Sequence, residues 1–241
     1  MSAKVYFVSD AHFALPVDAA ERQRRSTFLA FLESLHGVSQ VVLDGDLFQF
    51  WFDLGKTMPK GYFDILEGLL RLRRSGTRID YLAGNHDYWR SPFFRDELDI
   101  ETHATDLVVA TQGRRVLVAH GDGKGPGDHG YKLLKRVVRH PLAIACARAL
   151  HPDVLEVCAR RLDRWSHAQS TAQAVDSRRL EVAAEAAFAR GFDALVLGHV
   201  HTQMHRHLPG GELLVLGDWL SLFSYARLED GVFTPCRWPP A

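Results

Sequence analysis

The stretch "QVVLDGDLF", residues 40–48, begins as an unbroken apolar run and ends on a glycine flanked by two aspartates. Val and Leu without polar alternation suit a strand covered on both faces, as in a sheet packed beneath helices. The acidic turn suits the carboxyl edge of such a sheet, where loops converge on ligands. Similar runs recur at "KVYFVS" (4–9), "RIDYLAG" (78–84), "LVVAT" and "RVLVAH" (107–120), "DALVLGH" (193–199) and "ELLVLGD" (212–218). Helix-compatible stretches lie between several of them, at 21–36 and 61–75. In "YFDILEGLLRLRR" the apolar positions 62, 63, 65, 66, 69, 70 and 72 form a core face, leaving Asp64, Glu67, Arg71 and Arg74 to solvent. Strand–helix–strand alternation predicts an α/β (α+β) fold with helices covering a sheet. Antiparallel-looking pairs near 105–120 and 205–218 predict a mixed sheet or a two-sheet β-sandwich.

Between residues 127 and 173 the rhythm breaks. Ala, Leu and Arg dominate, Pro141 and Pro152 punctuate, and no strand-like run occurs. This predicts a helical cap inserted into one domain spanning 1–241, with a core helix over 174–190 returning to the next strand. The 241 residues can bury a sizeable core, and 46% apolar and 24% charged content is ordinary for a globular protein. Lys+Arg and Asp+Glu balance at 29 each, so no net field directs the chain to nucleic acid. Cys146, Cys158 and Cys236 are odd in number and lack CxxC spacing, which argues against a disulfide framework or thiolate metal site and fits a reducing cytosol. The N-terminal apolar run is too short for a signal segment and is interrupted by Asp10, so the chain is expected to start near Met1 inside the cell.

The polar residues at the end of each run carry the chemistry. Asp10 and His12 come after the first, Asp46 after the second, Asn85, His86 and Asp87 after the third, His120 after the fourth, and His199 and His201 after the fifth. Chance places one or two such side chains at a sheet edge; five strands delivering them points to a site. Two aspartates, one asparagine and four histidines are too many N/O ligands for one ion and suit two if a carboxylate bridges. Without thiolates the ions are of borderline or hard type: Mn²⁺ foremost, with Zn²⁺, Fe or Co as alternatives. Glycines before Asp46, Asn85 and His199 are expected to permit tight turns. His205 and His207 lie beyond the cluster in a strand-like stretch, where period two puts both on one face. They read as strand surface residues. Asp44, Asp87 and Asp122 read as groups that fix loops rather than bind metal, and Asp218 as a turn residue or a neighbour of the site.

The blocks "DAH", "GDLFQFW", "GNHD", "VAHGD" and "GHVH", in that order, resemble the five signature blocks of the calcineurin-like metallophosphoesterases. The resemblance implies a β-sandwich with flanking helices and a two-metal phosphoesterase. Asp10, His12 and His201 would hold one ion, Asn85, His120 and His199 the other, and Asp46 would bridge them while a hydroxide attacks phosphorus in line. Asp46 and His86 would be the catalytic groups, His86 as proton donor or phosphate contact, and Asn85 and His86 would face substrate. "GDLFQFWF", "HGDGKGPGDHGYKLLKR" and the arginine-rich insertion are similar, more narrowly, to the UDP-2,3-diacylglucosamine pyrophosphatases of lipid A synthesis. That subfamily implies a UDP-linked acylated sugar lipid as substrate, a cap that shelters acyl chains, and sugar contacts at Asp128 and Tyr131, with Ser166 in the cap's polar corner. It also implies a cytoplasmic protein lying peripherally on the inner membrane, which basic amphipathic helices favour. Two positions depart: His86 stands where many of that group carry arginine, and Gln49 where an acid is common. Other phosphoester substrates and a metal-binding scaffold are the alternative readings. A nuclease is disfavoured, since no basic stripe interleaved with aromatics lies outside the insertion.

Overall fold

The computed structural model describes residues 3–35, 37–52, 57–87, 92–122, 154, 157 and 177–239. The first sheet places β1 (Val5–Val8), β2 (Gln40–Asp44), β3 (Arg78–Leu82) and β4 (Glu101–His103) as parallel neighbours. On its other edge β10 (Ser224–Glu229) adds antiparallel to β1, and β11 (Val232–Arg237) antiparallel to β10, giving the order β11-β10-β1-β2-β3-β4. The second sheet has the order β5-β6-β7-β9-β8, formed by Leu107–Thr111, Arg114–Ala119, Ala194–Leu197, Gly211–Leu216 and Gln203–Leu208 respectively. Here β6, β7 and β9 run parallel, while β5 and β8 close the edges antiparallel. The expected antiparallel pairs are β5–β6 and β8–β9, in two mixed sheets.

Alternation along the strands builds three apolar layers. Val5, Phe7, Val42, Leu82, Val116, Val118, Ala194, Val196, Leu214 and Leu216 fill the space between the sheets. The opposite faces of the first sheet's strands bury Val8, Val41 and Leu43 against α1 (Ala19–Ser34), α2 (Phe63–Arg74) and α3 (Pro92–Leu98). Leu117, Ala119, Leu195, Leu197, Leu213 and Val215 pack beneath α4 (Ser177–Phe188) through Ala184 and Ala187. The result is a β-sandwich with helices on both outer faces, so central strands are apolar on both sides, as their sequences require.

The sequence reading missed several elements. Helix α3 and strand β4 carry too little periodicity, β10 mixes Arg227 and Glu229 into its run, and β11 contains Pro235. Pro235 is tolerated because β11 is an edge strand of the sheet formed by the described residues. Phe63, assigned to the core face of α2, is 67% exposed at the helix start, whereas Tyr62, Ile65, Leu66, Leu69 and Leu72 are buried as expected. Of the expected cap, only Val154 and Val157 are described, both helical and exposed. Among the described residues, no helix is long and apolar enough to cross a membrane.

Candidate active site

The parallel ladder continues past the strand ends as paired loops. Asp10 N–H donates to Gly45 O (3.2 Å), His12 N–H to Asp46 O (2.8 Å) and Phe13 N–H to Leu47 O (3.0 Å). The loops after β1 and β2 thus hold each other in register, bringing Asp10, His12 and Asp46 to one edge. The loop after β3 joins through Asp87, whose carboxylate accepts from Gly84 N (2.7 Å), Leu47 N (2.8 Å), Asp46 N (3.2 Å) and the Tyr81 hydroxyl. Across the sandwich, His199 N–H donates to Asp10 Oδ2 (2.7 Å), tying the loop after β7 to the loop after β1.

These turns are strained. Asp10 (φ 54°), His12 (45°), Asp46 (51°), His199 (66°) and His201 (52°) all occupy the left-handed region as non-glycine residues. Such conformations cost on the order of 1–3 kcal/mol each and gather where surrounding structure enforces them for function. The glycines act differently from expectation. Gly45 has φ +78° and makes the tight turn, but Gly84 and Gly198 do not have positive φ. They are required by close approach: a Cβ on Gly84 would lie 2.0 Å from Asp46 Oδ1, and one on Gly198 2.1 Å from Ser9 Oγ.

The side chains meet as two groups sharing a centre. In the first, His201 Nε2 lies 3.2 Å and His12 Nε2 3.6 Å from Asp10 Oδ1, with 3.3 Å between the two ring nitrogens. In the second, His120 Nε2 stands 3.1 Å from Asp46 Oδ2 and 3.2 Å from Asn85 Oδ1, and His120 and His199 meet edge to face at 5.3 Å. Asp46 Oδ2 also faces His12 Nε2 at 3.8 Å, which places this carboxylate between the groups. The ligand-competent atoms of Asp10, His12 and His201, and of Asp46, His120 and His199, lie within 4.8 Å of one another in each set. A third set, His12, Asp46 and His86, meets the same criterion. His86 packs edge to face on His12 at 4.7 Å, and its backbone N–H donates to Asp46 Oδ1 (2.9 Å).

Several observations test whether these residues suit cations. Asp10 Oδ1 is buried and accepts no hydrogen bond, while the rest of its carboxylate is held by His199 N–H and the Ser9 hydroxyl. His120 donates Nδ1–H to Asp44 O (2.7 Å), fixing the tautomer and aiming Nε2 inward. Burial works to raise the Asp46 carboxyl, yet the charges of His120 and His86 hold it well below the usual carboxylate range. Burial likewise works to lower His120, but the Asp46 charge and hydrogen bond raise it well above the usual imidazole value. Burial opposes charging of His201 too, and Asp10 raises it. Two ionised, buried carboxylates facing several imidazoles form an N/O donor set that fits divalent cations, which would displace the protons the imidazoles hold.

The structure brings together Asp10, His12, Asp46, Asn85, His86, His120, His199 and His201. Asp128, Tyr131 and Ser166 lie outside the described residues. Asp87 fixes loops, as expected, and Asp218 makes a turn by accepting from Leu220, Ser221 and Leu222 N–H. Sequence reasoning missed Ser9, Arg24 and Arg25. Arg24 donates to Ala11 O and to His12 O (3.0 Å), and buried Arg25 to Ala14 O (2.8 Å), so α1 grips the carbonyls of the loop that carries His12. An amphipathic helix with two adjacent arginines gave no sign of that inward role.

Fold and site together define a metal-dependent hydrolase of phosphoric esters. A family model described as calcineurin-like phosphoesterase matches residues 3–203, and the chain belongs to that family. It is similar to the UDP-2,3-diacylglucosamine hydrolase of Porphyromonas gingivalis, with 29% identity covering 94% of each chain. It is also similar to the enzyme of that name from Pseudomonas putida, with 30% identity over 89% of this chain and 90% of the relative. Among solved structures, an archaeal phosphodiesterase superposes with a TM-score of 0.48 at 14% identity, covering 96% of this chain and 98% of that one.

Proposed function

We propose that this protein hydrolyses the pyrophosphate of UDP-2,3-diacylglucosamine, giving UMP and 2,3-diacylglucosamine 1-phosphate. The observation that carries this reading is the near end-to-end similarity to a hydrolase named for that substrate. Asp10, His12 and His201 would hold one divalent cation and Asn85, His120 and His199 a second, with Asp46 available to both; Mn²⁺ is the expected ion. Cations held there would supply charge neutralisation for the phosphoryl group and a more acidic water. The chain's own residues do the rest. Asp46 anchors the centre, and Asn85 and His86 contact the phosphate. His86, with Nδ1–H donating to Gln49 O (3.0 Å), has its ring fixed and turns Nε2 toward the departing sugar-phosphate oxygen as a proton donor. Water adds to the uridylyl phosphorus, and the bond to the sugar phosphate breaks. On this reading the segment 127–173 would serve as the cap, Asp128, Tyr131 and Ser166 would be its sugar contacts, and the protein would work peripherally on the cytoplasmic face of the inner membrane.

Purified protein with Mn²⁺ is expected to release UMP from the diacylated UDP-sugar, followed by phosphorus NMR. Turnover of bis-(p-nitrophenyl) phosphate alone would overturn the substrate and leave a phosphodiesterase of other specificity. Charged residues in place of Leu133 and Val137 should slow lipid turnover more than that of the chromogenic ester; equal losses would remove the acyl-sheltering cap.

A further inference from the structure

We propose that His205, His207 and Glu212 form a separate Zn²⁺ site at the end of the sandwich remote from the strand-end cluster. His205 and His207 alternate on edge strand β8, and their register partners on β9 are Leu214 and Glu212. Both imidazoles and the carboxylate therefore project from one face. His205 Nε2 lies 2.8 Å and His207 Nδ1 3.8 Å from Glu212 Oε2, the ring centroids are 4.8 Å apart, and the three donor atoms lie within 4.8 Å of one another. Tetrahedral zinc with bonds of ~2.0–2.2 Å needs donors roughly 3.3 Å apart, and the 2.8 Å and 3.8 Å separations from Glu212 Oε2 lie on either side of that value.

The carboxylate is prepared for this role. Arg114 Nη2 takes Glu212 Oε1 at 2.6 Å, orienting the group and leaving Oε2 for the imidazoles. The site cannot belong to the strand-end cluster. Glu212 is level with Ala194 at the start of β7, whereas His199 follows the end of that strand, roughly 15 Å further along. Two imidazoles and one carboxylate are borderline donors that select zinc over magnesium or calcium and leave a coordination position open. His205 and Glu212 lie half-buried, while His207 is exposed on the outer edge, so a cation has access from solvent.

Zinc stoichiometry of the full chain, measured by equilibrium dialysis with elemental analysis, tests the proposal. His207→Ala should bind one equivalent less than wild type, with unchanged Tm in chelator and unchanged turnover of bis-(p-nitrophenyl) phosphate under Mn²⁺. The doubly substituted Asp46→Asn, His120→Ala protein should keep that equivalent, and lose it when His207→Ala is added. This second comparison is independent of whether the strand-end cluster binds two ions. Equal zinc in wild type and His207→Ala, or binding at the edge that never saturates at one equivalent, would overturn the site.

Discussion

The strand-end cluster and the β8–β9 edge use the same side chains in opposite settings. At the strand ends Asp10, His12, Asp46 and His120 are buried, and the backbone is forced into left-handed turns at five of the proposed ligands. At the edge, His205 and His207 sit on a regular strand, and His207 has 78% of its side chain exposed. Strain and burial make the first set rigid: His199 N–H holds Asp10, His86 N–H holds Asp46 and Asp44 O holds His120, so the geometry of these groups is set before any cation arrives. The second set is held by side-chain contacts, Arg114 on Glu212 and Glu212 on His205. Preorganisation of this kind is what a catalytic centre requires and a passive binding site does not.

The largest effect should come from the shared carboxylate. Asp46→Asn keeps the shape but removes the charge between the two groups, and phosphodiester turnover should fall by about 10³-fold with little change in the circular dichroism spectrum. Near-normal kcat would break the comparison outright. Asp87→Asn touches no proposed ligand atom but weakens acceptance of three backbone donors and the Tyr81 hydroxyl. Turnover should drop roughly 10–100-fold, with metal affinity weakened in step, as for other groups that orient ligands. If activity survives while stability falls, rigidity from these loops is not what the cluster depends on.

A smaller effect concerns stability away from either cluster. Asp80 on β3 is buried and binds His103 (2.9 Å), Arg78 (2.8 Å) and Gln40 (2.7 Å). Burial works to raise its carboxyl, but these partners lower it to about 2. A folded pKa below the unfolded one means this stabilisation is complete above roughly pH 4 and is lost as pH falls through about 2. Wild type should therefore lose roughly 1–2 kcal/mol more than Asp80→Asn across that window, read by denaturant titration at each pH. Parallel profiles would contradict the ion-pair account. The smallest effect is His207→Ala, which should leave phosphodiester turnover within error while altering zinc uptake.

Much of this was legible in the sequence because its strongest signals are local. Apolar runs such as 40–44 and 194–197 mark strands covered on both faces, and each is followed at once by its polar residue, so the ligand set could be read in order. Elements whose signal depends on neighbours were lost. Strand β10 is shaped by pairing with β1, and Pro235 is acceptable because β11 is the terminal strand of the sheet formed by the described residues. Gly84 and Gly198 stand out in the sequence, but their reason is a close approach by Asp46 and Ser9, residues far away in the chain. For the same reason the grip of Arg24 and Arg25 on the loop at residues 11–14 had no sequence signal.

The sequence by itself determined the two-sided strands, the residue types at their carboxyl ends and the resemblance those blocks carry. Only the tertiary structure decided that Asp46 stands between the two groups, that five of the residues adopt left-handed backbone, and that Glu212 meets the histidines of β8. Periodicity and local chemistry act within a few residues and survive in one dimension. Distances between side chains about 40 to 190 positions apart are set by sheet register and loop-to-loop hydrogen bonds, which exist only once the chain has folded.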